Sequence, residues 1–193
     1  MPASRLSDEE VVQALSSCGI PRRFHAKDRS VAEYVCGDGN SLSPWIKQVG
    51  EHGNNVYVVD DDGIRNLFLY GEDSMDFAYL VARSLLLIGV SVVVLHVSKL
   101  FDADFRNSQK IFERVSGSLV VIVLGYNDAG VACLGDAEQL YAVQWWIHRR
   151  LDDGKVVVLN GTDKPSDRDV WGIALYNRVV RSCDILKATR GDA

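Results

Sequence analysis

The 193-residue chain has few cysteines and few histidines, four of each, and neither residue type forms a ligand pattern. It has no C-x-x-C pair and no histidine at the spacing of a metal ligand, which excludes the common structural zinc motifs. No serine–histidine–aspartate or cysteine–histidine set has the spacing of a catalytic nucleophile and its base. We therefore expect reduced thiols, a cytoplasmic location and no metal site. The cysteines are Cys18, Cys36, Cys133 and Cys183.

The chain also lacks an excess of positive charge and an uninterrupted hydrophobic run. Its formal net charge is −5 at pH 7, which argues against avid, non-specific binding to a phosphate backbone. The most apolar stretch, residues 78–97, contains Arg83 and is divided at Gly89. This pattern predicts a helix followed by a buried strand and not a membrane span. Because the first residues are polar, we expect neither a signal peptide nor a membrane partner.

From residue 66 onward, short apolar runs alternate with segments of helical character. The runs are rich in β-branched residues and nearly unbroken, as is typical of parallel strands buried on both faces. The pattern predicts an α/β fold in three layers, with a five-stranded, mainly parallel sheet and helices on both faces. Residues 1–65 are predicted to form an N-terminal helix and a leading segment, and residues 66–193 the core of the same globular unit. The predicted strands are 67–70, 92–97, 119–124, 156–160 and 184–186.

Outside these strands, capping boxes begin at Ser7 and Asp136 and each predicts a helix. The second helix is expected to end at Gly154. We also expect a short helix over residues 31–35 and a loop over residues 36–44.

Residues 71–78 stand between a predicted strand and helix, where the phosphate-binding pattern G-x-x-x-x-G-K-[ST] belongs. Gly71 keeps the first glycine, but Asp76 replaces the second, Phe77 the lysine and Ala78 the hydroxyl residue. Phenylalanine brings no cation to the phosphates, and alanine brings no ligand to Mg²⁺. Ser74 and Asp76 crowd the path in which backbone N–H groups would surround an anion. We therefore expect neither ATP nor Mg²⁺ to bind.

The same segment carries three carboxylates, on Glu72, Asp73 and Asp76. They lie at the positive end of the following helix, where they are expected to satisfy its N–H groups and its dipole. Each of them would also repel a polyphosphate. The segment is predicted to be a turn with a helix N-cap.

Five segments carry further patterns in a fixed order. They are G-I-P-R-R-F at 19–24, N-L-F-L-Y-G at 66–71, G-V-S-V at 89–92, I-H-R-R at 147–150 leading to the strand at 156–160, and A-L-Y-N-R-V at 174–179. Together they resemble the bacterial replicative helicase loaders of the DnaC and DnaI type and the IstB transposition ATPases, within the AAA+ superfamily. The resemblance covers most of the chain. It implies an AAA+-like P-loop NTPase fold and a role in DNA replication.

In that family the third strand ends in two acids that hold Mg²⁺, and the positions here are Ile122 and Val123. Asp128 is predicted to lie too far along the chain to replace them without a bulge. Asn160 matches the polar sensor residue, with a turn-forming role as the alternative. Arg178 matches the arginine finger, which acts on a neighbour's nucleotide; a plain helix-surface arginine is the alternative.

Two further groups are candidate partner contacts. Trp145 and Trp146 point about 100° apart on one helix, so both cannot face the same core stripe. Trp146 beside Arg150 is a candidate anchor for a protein partner, with core packing as the alternative. The other group combines basic and aromatic side chains near the N-terminus and could face an acidic partner or DNA, although the net charge does not favour DNA. Its members are Arg22, Arg23, Phe24, His25 and Lys27, of which the first three are the candidate contacts.

These observations together predict a non-catalytic pseudo-ATPase of helicase-loader type, of phage or mobile-element origin. Its expected partner is a replicative helicase, a true loader or a like subunit, and assembly into an oligomer is compatible with this role. The effect on the helicase is either loading or inhibition. An ATPase with an unorthodox nucleotide site and a transposition-type DNA-binding accessory protein are the alternatives.

Overall fold

The computed structural model describes residues 8–25, 34–36, 42–52, 64–101, 115, 117–128 and 137–190. The helices are α1 (Asp8–Ser17), α2 (Ser43–His52), α3 (Ser74–Leu87), α4 (Val97–Phe101), α5 (Ala137–Asp152) and α6 (Gly172–Ser182), with a short 3-10 helix at Arg22–Phe24. The strands are β1 (Tyr34–Cys36), β2 (Asn66–Tyr70), β3 (Val92–His96), β4 (Val120–Leu124), β5 (Val156–Gly161) and β6 (Cys183–Arg190).

The strands form one sheet in the order β1-β6-β2-β5-β4-β3. Five of them, β2 to β6, are parallel, and β1 pairs antiparallel with β6 at one edge. The predicted five-stranded parallel sheet is thus confirmed, with one antiparallel strand added. Consecutive parallel strands are connected through helices on the sheet faces: α3 stands between β2 and β3, α5 between β4 and β5, and α6 between β5 and β6.

Alternate residues of the central strands enter two separate hydrophobic cores. In β4, Ile122 belongs to the core beneath α1, α2 and α3, whereas Val121 and Val123 belong to the core beneath α4, α5 and α6. In β2, Leu67 and Leu69 face the first core and Phe68 the second. Because both faces are covered, the strands carry unbroken apolar runs, as the sequence analysis expected.

The elements before β2 pack into the first core together with α3. Leu15 of α1, Phe24 of the 3-10 helix and Val49 of α2 are all buried there. The Phe24 ring stacks on Tyr79 of α3, with 5.0 Å between the ring centroids. The boundary predicted at residue 65 stays a prediction, but side chains from both of its sides share one core.

Three local expectations were wrong or fall outside the described residues. Tyr34–Cys36 form strand β1 where a helix was expected over 31–35, because these residues pair with β6, far away in sequence. Helix α2 begins at Ser43, inside the segment expected to be a loop. The capping residues Ser7 and Asp136 lie outside the described residues. No helix of the described part of the chain is long and apolar enough to cross a membrane.

Candidate functional site at the carboxyl edge of the sheet

Parallel sheets place their ligand sites where the carboxyl ends of the strands meet the following loops. Here that edge includes the adjacent strands β2 and β5, which end at Tyr70 and Gly161. Helix α3 leaves the same edge and begins at Ser74. The segment that resembles a phosphate-binding loop therefore lies in the expected place.

The loop between β2 and α3 is only three residues long, because α3 begins at Ser74. The positions aligned with the second glycine, the lysine and the hydroxyl residue, 76–78, all lie inside the helix. The Ser74 N–H donates to the Gly71 carbonyl at 3.1 Å, and the Phe77 N–H to the Asp73 carbonyl at 3.0 Å. These two donors are thus already used within the turn.

A buried hydrogen-bond network closes the space beneath this turn. Ser74 and Asn160 are 3% and 2% exposed. Asn160 Nδ2 donates to Ser74 Oγ at 2.7 Å, and Ser74 Oγ lies 2.6 Å from the Gly71 carbonyl oxygen, to which it donates. Asn160 Oδ1 accepts from the Gly125 N–H at 3.3 Å. One serine and one asparagine therefore connect α3 to the ends of β2, β4 and β5.

The side chains at the lysine and hydroxyl positions point into the hydrophobic core. Phe77 and Ala78 are both completely buried among the residues beneath α3. Neither side chain reaches the edge where a phosphate would lie. A cation or hydroxyl group at the edge would have to come from another part of the chain.

The acidic side chains near the start of α3 are placed differently from one another. Asp76 forms an ion pair with Arg23 at 2.9 Å, and the Arg23 guanidinium lies 4.8 Å from the centre of the Phe24 ring. Asp73 is the N-cap residue, but its side chain makes no cap hydrogen bond, which corrects the expected N-cap role. Burial raises the pKa of Tyr79, and the charge of nearby Arg23 partly opposes this rise.

The basic-aromatic cluster at the N-terminus is only partly exposed. Arg22 and Arg23 are exposed, as a partner contact requires, whereas Phe24 is completely buried. The expectation that Phe24 itself contacts a partner is therefore wrong, because its ring fills the core against α3.

The two positions that would hold the magnesium-binding acids are interior residues of β4. Ile122 and Val123 have no exposed surface, and they face opposite cores. An acidic side chain at either position would therefore lie in the core and would not reach solvent. Among the described residues, no group of three or more histidine, cysteine, aspartate or glutamate side chains could hold a metal ion.

Asp128 lies near the carboxyl edge of the sheet, after the turn that follows β4. Gly125 has a φ of +74°, which favours glycine, and it turns the chain directly after β4. The Asp128 carboxylate then accepts a hydrogen bond from the Thr162 hydroxyl at 2.9 Å and lies 3.9 Å from His96 Nε2. One carboxylate is thus available at the edge, although not at the family's position.

Arg178 lies on α6 and forms an ion pair with Asp152 at the end of α5. Its side chain is 40% exposed. The pair joins the two helices on one face of the sheet, and Arg178 is half-buried within that layer. Its position on a helix is as predicted, and the ion pair is a feature that the sequence did not indicate.

Trp146 and Arg150 are buried, which corrects their assignment as partner contacts. They are 5% and 4% exposed. Arg150 donates to the carbonyl oxygens of Ser118 and Leu119 at 2.6 and 3.0 Å, before β4. Burial lowers the pKa of Arg150 to about 10, with the charge of Asp153 opposing the shift. The neighbouring Trp145 is instead 50% exposed, so the helix turns the other tryptophan outward.

No protein-family description and no curated protein sequence matches this chain. Solved structures do match it. The crystal structure of the DnaC helicase loader superposes with a TM-score of 0.61 at 11% identity, over 88% of this chain and 100% of that one. A crystal structure of DnaI gives 0.61 at 12% identity, over 89% and 92%. The replication initiator DnaA, bound to AMPPCP and single-stranded DNA, gives 0.61 at 12%, over 87% and 50%.

These likenesses show the fold. The sheet order of β2 to β6 and the flanking helices match the AAA+ P-loop NTPase domains of replication initiators and helicase loaders. The chain spans about half the length of the initiator it matches and nearly all of the two loader chains.

Proposed function

We propose that this chain is a non-catalytic pseudo-ATPase of helicase-loader type, which binds a protein partner in DNA replication without using nucleotide. The observation that supports this proposal is the early start of α3, whose first turn is bonded to itself and to Asn160. A phosphate-binding loop needs backbone N–H groups that are free to surround an anion. Here two of those groups donate within the turn.

The residues of this edge do not fit a nucleoside triphosphate with its magnesium ion. Phe77, at the lysine position, is buried and brings no cation to the edge, and the Ser74–Asn160 hydrogen bond closes the space beneath the turn. The charge of a triphosphate would also meet the Asp128 carboxylate. Each effect opposes binding separately, and their contributions add.

The partner we propose is a replicative helicase, a true loader or a like subunit. The support is the fold, which matches structures described as the DnaC helicase loader and DnaI. Without a nucleotide cycle, release cannot be driven by hydrolysis in this chain. Its binding to the partner is therefore constitutive or controlled by the partner. The effect on the helicase is either loading or inhibition.

Binding to a purified replicative helicase from the native host tests this proposal. We expect a complex with a Kd of about 1 μM or lower in buffer free of nucleotide, a strength usual for specific complexes. Exposed Arg22 is a candidate contact, so Arg22→Glu is expected to weaken binding at least about tenfold. Arg168→Glu, at another exposed arginine, is the matched control. No complex with the helicase or with a true loader would contradict the proposal.

Arg178 supports a more specific part of the same proposal, in which it reaches the nucleotide site of an active neighbouring subunit. Such an arginine changes the neighbour's turnover by roughly 10³-fold or more in other phosphoryl-transfer enzymes. We expect Arg178→Ala to abolish any stimulation of the partner's ATPase, and Arg181→Ala, on the exposed side of α6, to leave it intact. Equal ATPase rates with the wild type and Arg178→Ala would end this idea.

The position of Asp128 favours a second candidate, an ATPase with an unorthodox site. Its carboxylate lies at the carboxyl edge beside Thr162 and His96. In that case Asp128→Asn would remove a magnesium-dependent ATPase activity of the purified chain. If the pseudo-ATPase assignment is correct, the wild type and Asp128→Asn both show no activity above the buffer.

A further inference from the structure

The exposed face of α5 carries the largest exposed aromatic side chains among the described residues. Tyr141 and Trp145 are 68% and 50% exposed. They lie one helical turn apart, about 6 Å along the axis. Arg149 follows one turn later, with its guanidinium 5.2 Å from the centre of the Trp145 ring. Tyrosine, tryptophan and arginine are the residues that most often dominate the energy of protein interfaces.

The charges on this face are arranged symmetrically about its aromatic centre. Glu138 is exposed in the first turn of α5, and Arg149 is exposed in the last. At 100° per residue, Glu138, Tyr141, Trp145 and Arg149 fall within a sector of about 80°. The stripe therefore reads acid, aromatic, aromatic, base. Asp152 falls in the same sector beyond Arg149, but its carboxylate is already paired with Arg178 of α6.

Two copies of this stripe complement each other when their helices run antiparallel. If a second helix α5 lies antiparallel against the first, with the two-fold axis near residue 143, Tyr141 meets the second copy's Trp145. Glu138 then meets the second copy's Arg149 to within about one residue of rise, or 1.5 Å. The same contacts occur twice, which is the property of an interface between identical subunits related by a two-fold axis.

We propose that the α5 stripe, defined as Glu138, Tyr141, Trp145 and Arg149, is the contact between two copies of this chain. A single-stranded nucleic acid fits the stripe less well. The stripe has one acidic residue for its one basic residue, and Arg149 also lies 3.9 Å from Asp153. Five of the eight exposed large hydrophobic side chains of the described residues lie on α5, on α6 or in the segment that leads into α6. The proposal does not depend on the nucleotide question.

Sedimentation velocity over about 5 to 500 μM protein tests the proposal, since small interfaces give weak, concentration-dependent dimers. We expect the wild type to change from the mass of one chain to that of two. Trp145→Ser is expected to weaken the dimer at least about tenfold, as loss of a central anchor does. Leu87→Ser, at a residue 49% exposed on α3, is the matched control and leaves the dimer unchanged.

Charge reversal identifies the pairing itself. Glu138→Arg and Arg149→Glu each place like charges opposite one another and are expected to stay monomeric over the same range. Mixing these two variants restores both opposite-charge pairs in the mixed dimer, so the mixture is expected to dimerise. Double reversal in one chain, Glu138→Arg with Arg149→Glu, restores them in the same way.

Three results would overturn the proposal. The first is a wild type that remains monomeric at about 500 μM, including one that binds an oligonucleotide instead. The second is a dimer that both single reversals leave intact, because its contact would then lie elsewhere. The third is a mixture of the two reversals that stays monomeric, since the pairing of Glu138 with Arg149 would then be wrong.

Discussion

Ser74 and Asn160 have the largest local influence on the carboxyl edge of the sheet. Both are polar, both are almost fully buried, and each is the other's hydrogen-bond partner at 2.7 Å. A buried polar pair of this kind stabilises one arrangement of the chain, because losing either member removes one hydrogen bond from the other, which water cannot readily replace. The serine holds the turn after Gly71, and the asparagine holds the turn after β4.

Replacing Asn160 by alanine should lower the free energy of unfolding by about 2–3 kcal/mol, since several buried groups lose a partner. Asn177→Ala, on the exposed side of α6, is the control and should change it by less than about 0.5 kcal/mol. Urea unfolding followed by circular dichroism measures both. If both variants lost less than 0.5 kcal/mol, the Asn160 network would not hold this edge together.

A comparison of Gly125 with Gly89, which lies between α3 and β3, separates the effect of backbone strain from the effect of contacts at this edge. Both have positive φ, +74° and +85°. A Cβ at Gly125 would lie 2.7 Å from an Asp128 carboxylate oxygen and 3.0 Å from the His96 ring, whereas one at Gly89 would meet nothing within 4 Å.

Gly89→Ala is therefore expected to cost about 1 kcal/mol for its backbone conformation alone. Gly125→Ala should cost more, about 2–4 kcal/mol, because the added methyl group also displaces Asp128 and His96. Thermal unfolding compares the two variants. Equal losses would show that Asp128 does not lie over Gly125.

At the scale of secondary structure, α5 is attached to the sheet by an arginine and not by its apolar stripe alone. Arg150 donates to two carbonyl groups just before β4, and its Nε and Nη1 atoms are buried without a hydrogen-bond partner. Unpaired buried donors carry a cost in free energy. The two good hydrogen bonds of Nη2 offset part of that cost.

Arg150→Met should lower the free energy of unfolding by about 2–4 kcal/mol, because the Ser118 and Leu119 carbonyl oxygens lose their donor. The adjacent residue provides the control: Arg149 is exposed, and Arg149→Met should change it by less than about 0.5 kcal/mol. Unfolding is measured at about 1 μM protein to keep the chain monomeric. A larger loss of unfolding free energy in Arg149→Met than in Arg150→Met would contradict the burial of Arg150.

The central strands could be predicted from the sequence because burial on both faces requires unbroken apolar runs, such as the five residues of β4. Strand β1 could not be predicted, because it depends on the pairing of Tyr34 with Arg190 in β6, which no local sequence pattern encodes. The contacts of Asp128 with Thr162 and His96 could not be predicted, because they depend on the turn at Gly125, which has a positive φ. That Trp146 is the buried tryptophan of α5 and Trp145 the exposed one could not be predicted, since adjacency alone does not fix the rotation of a helix.

At the scale of the whole molecule, one AAA+-like sheet separates two layers with different features. The layer of α1, α2 and α3 contains the short turn at Ser74 and the exposed arginines at 22 and 23. The layer of α4, α5 and α6 contains Arg178 and the α5 stripe. We propose that the fold is retained for these surfaces, which need its rigid core but no bound nucleotide.

Calorimetric titration with ATP and Mg²⁺ tests that central claim most directly. At about 50 μM protein and up to about 2 mM nucleotide, we expect no saturable heat and no change in the melting temperature. A ligand present at a hundred times its Kd would stabilise the folded chain by about 2.7 kcal/mol, which thermal unfolding detects readily. A saturable, magnesium-dependent Kd below about 20 μM that Asp128→Asn abolishes would contradict the account.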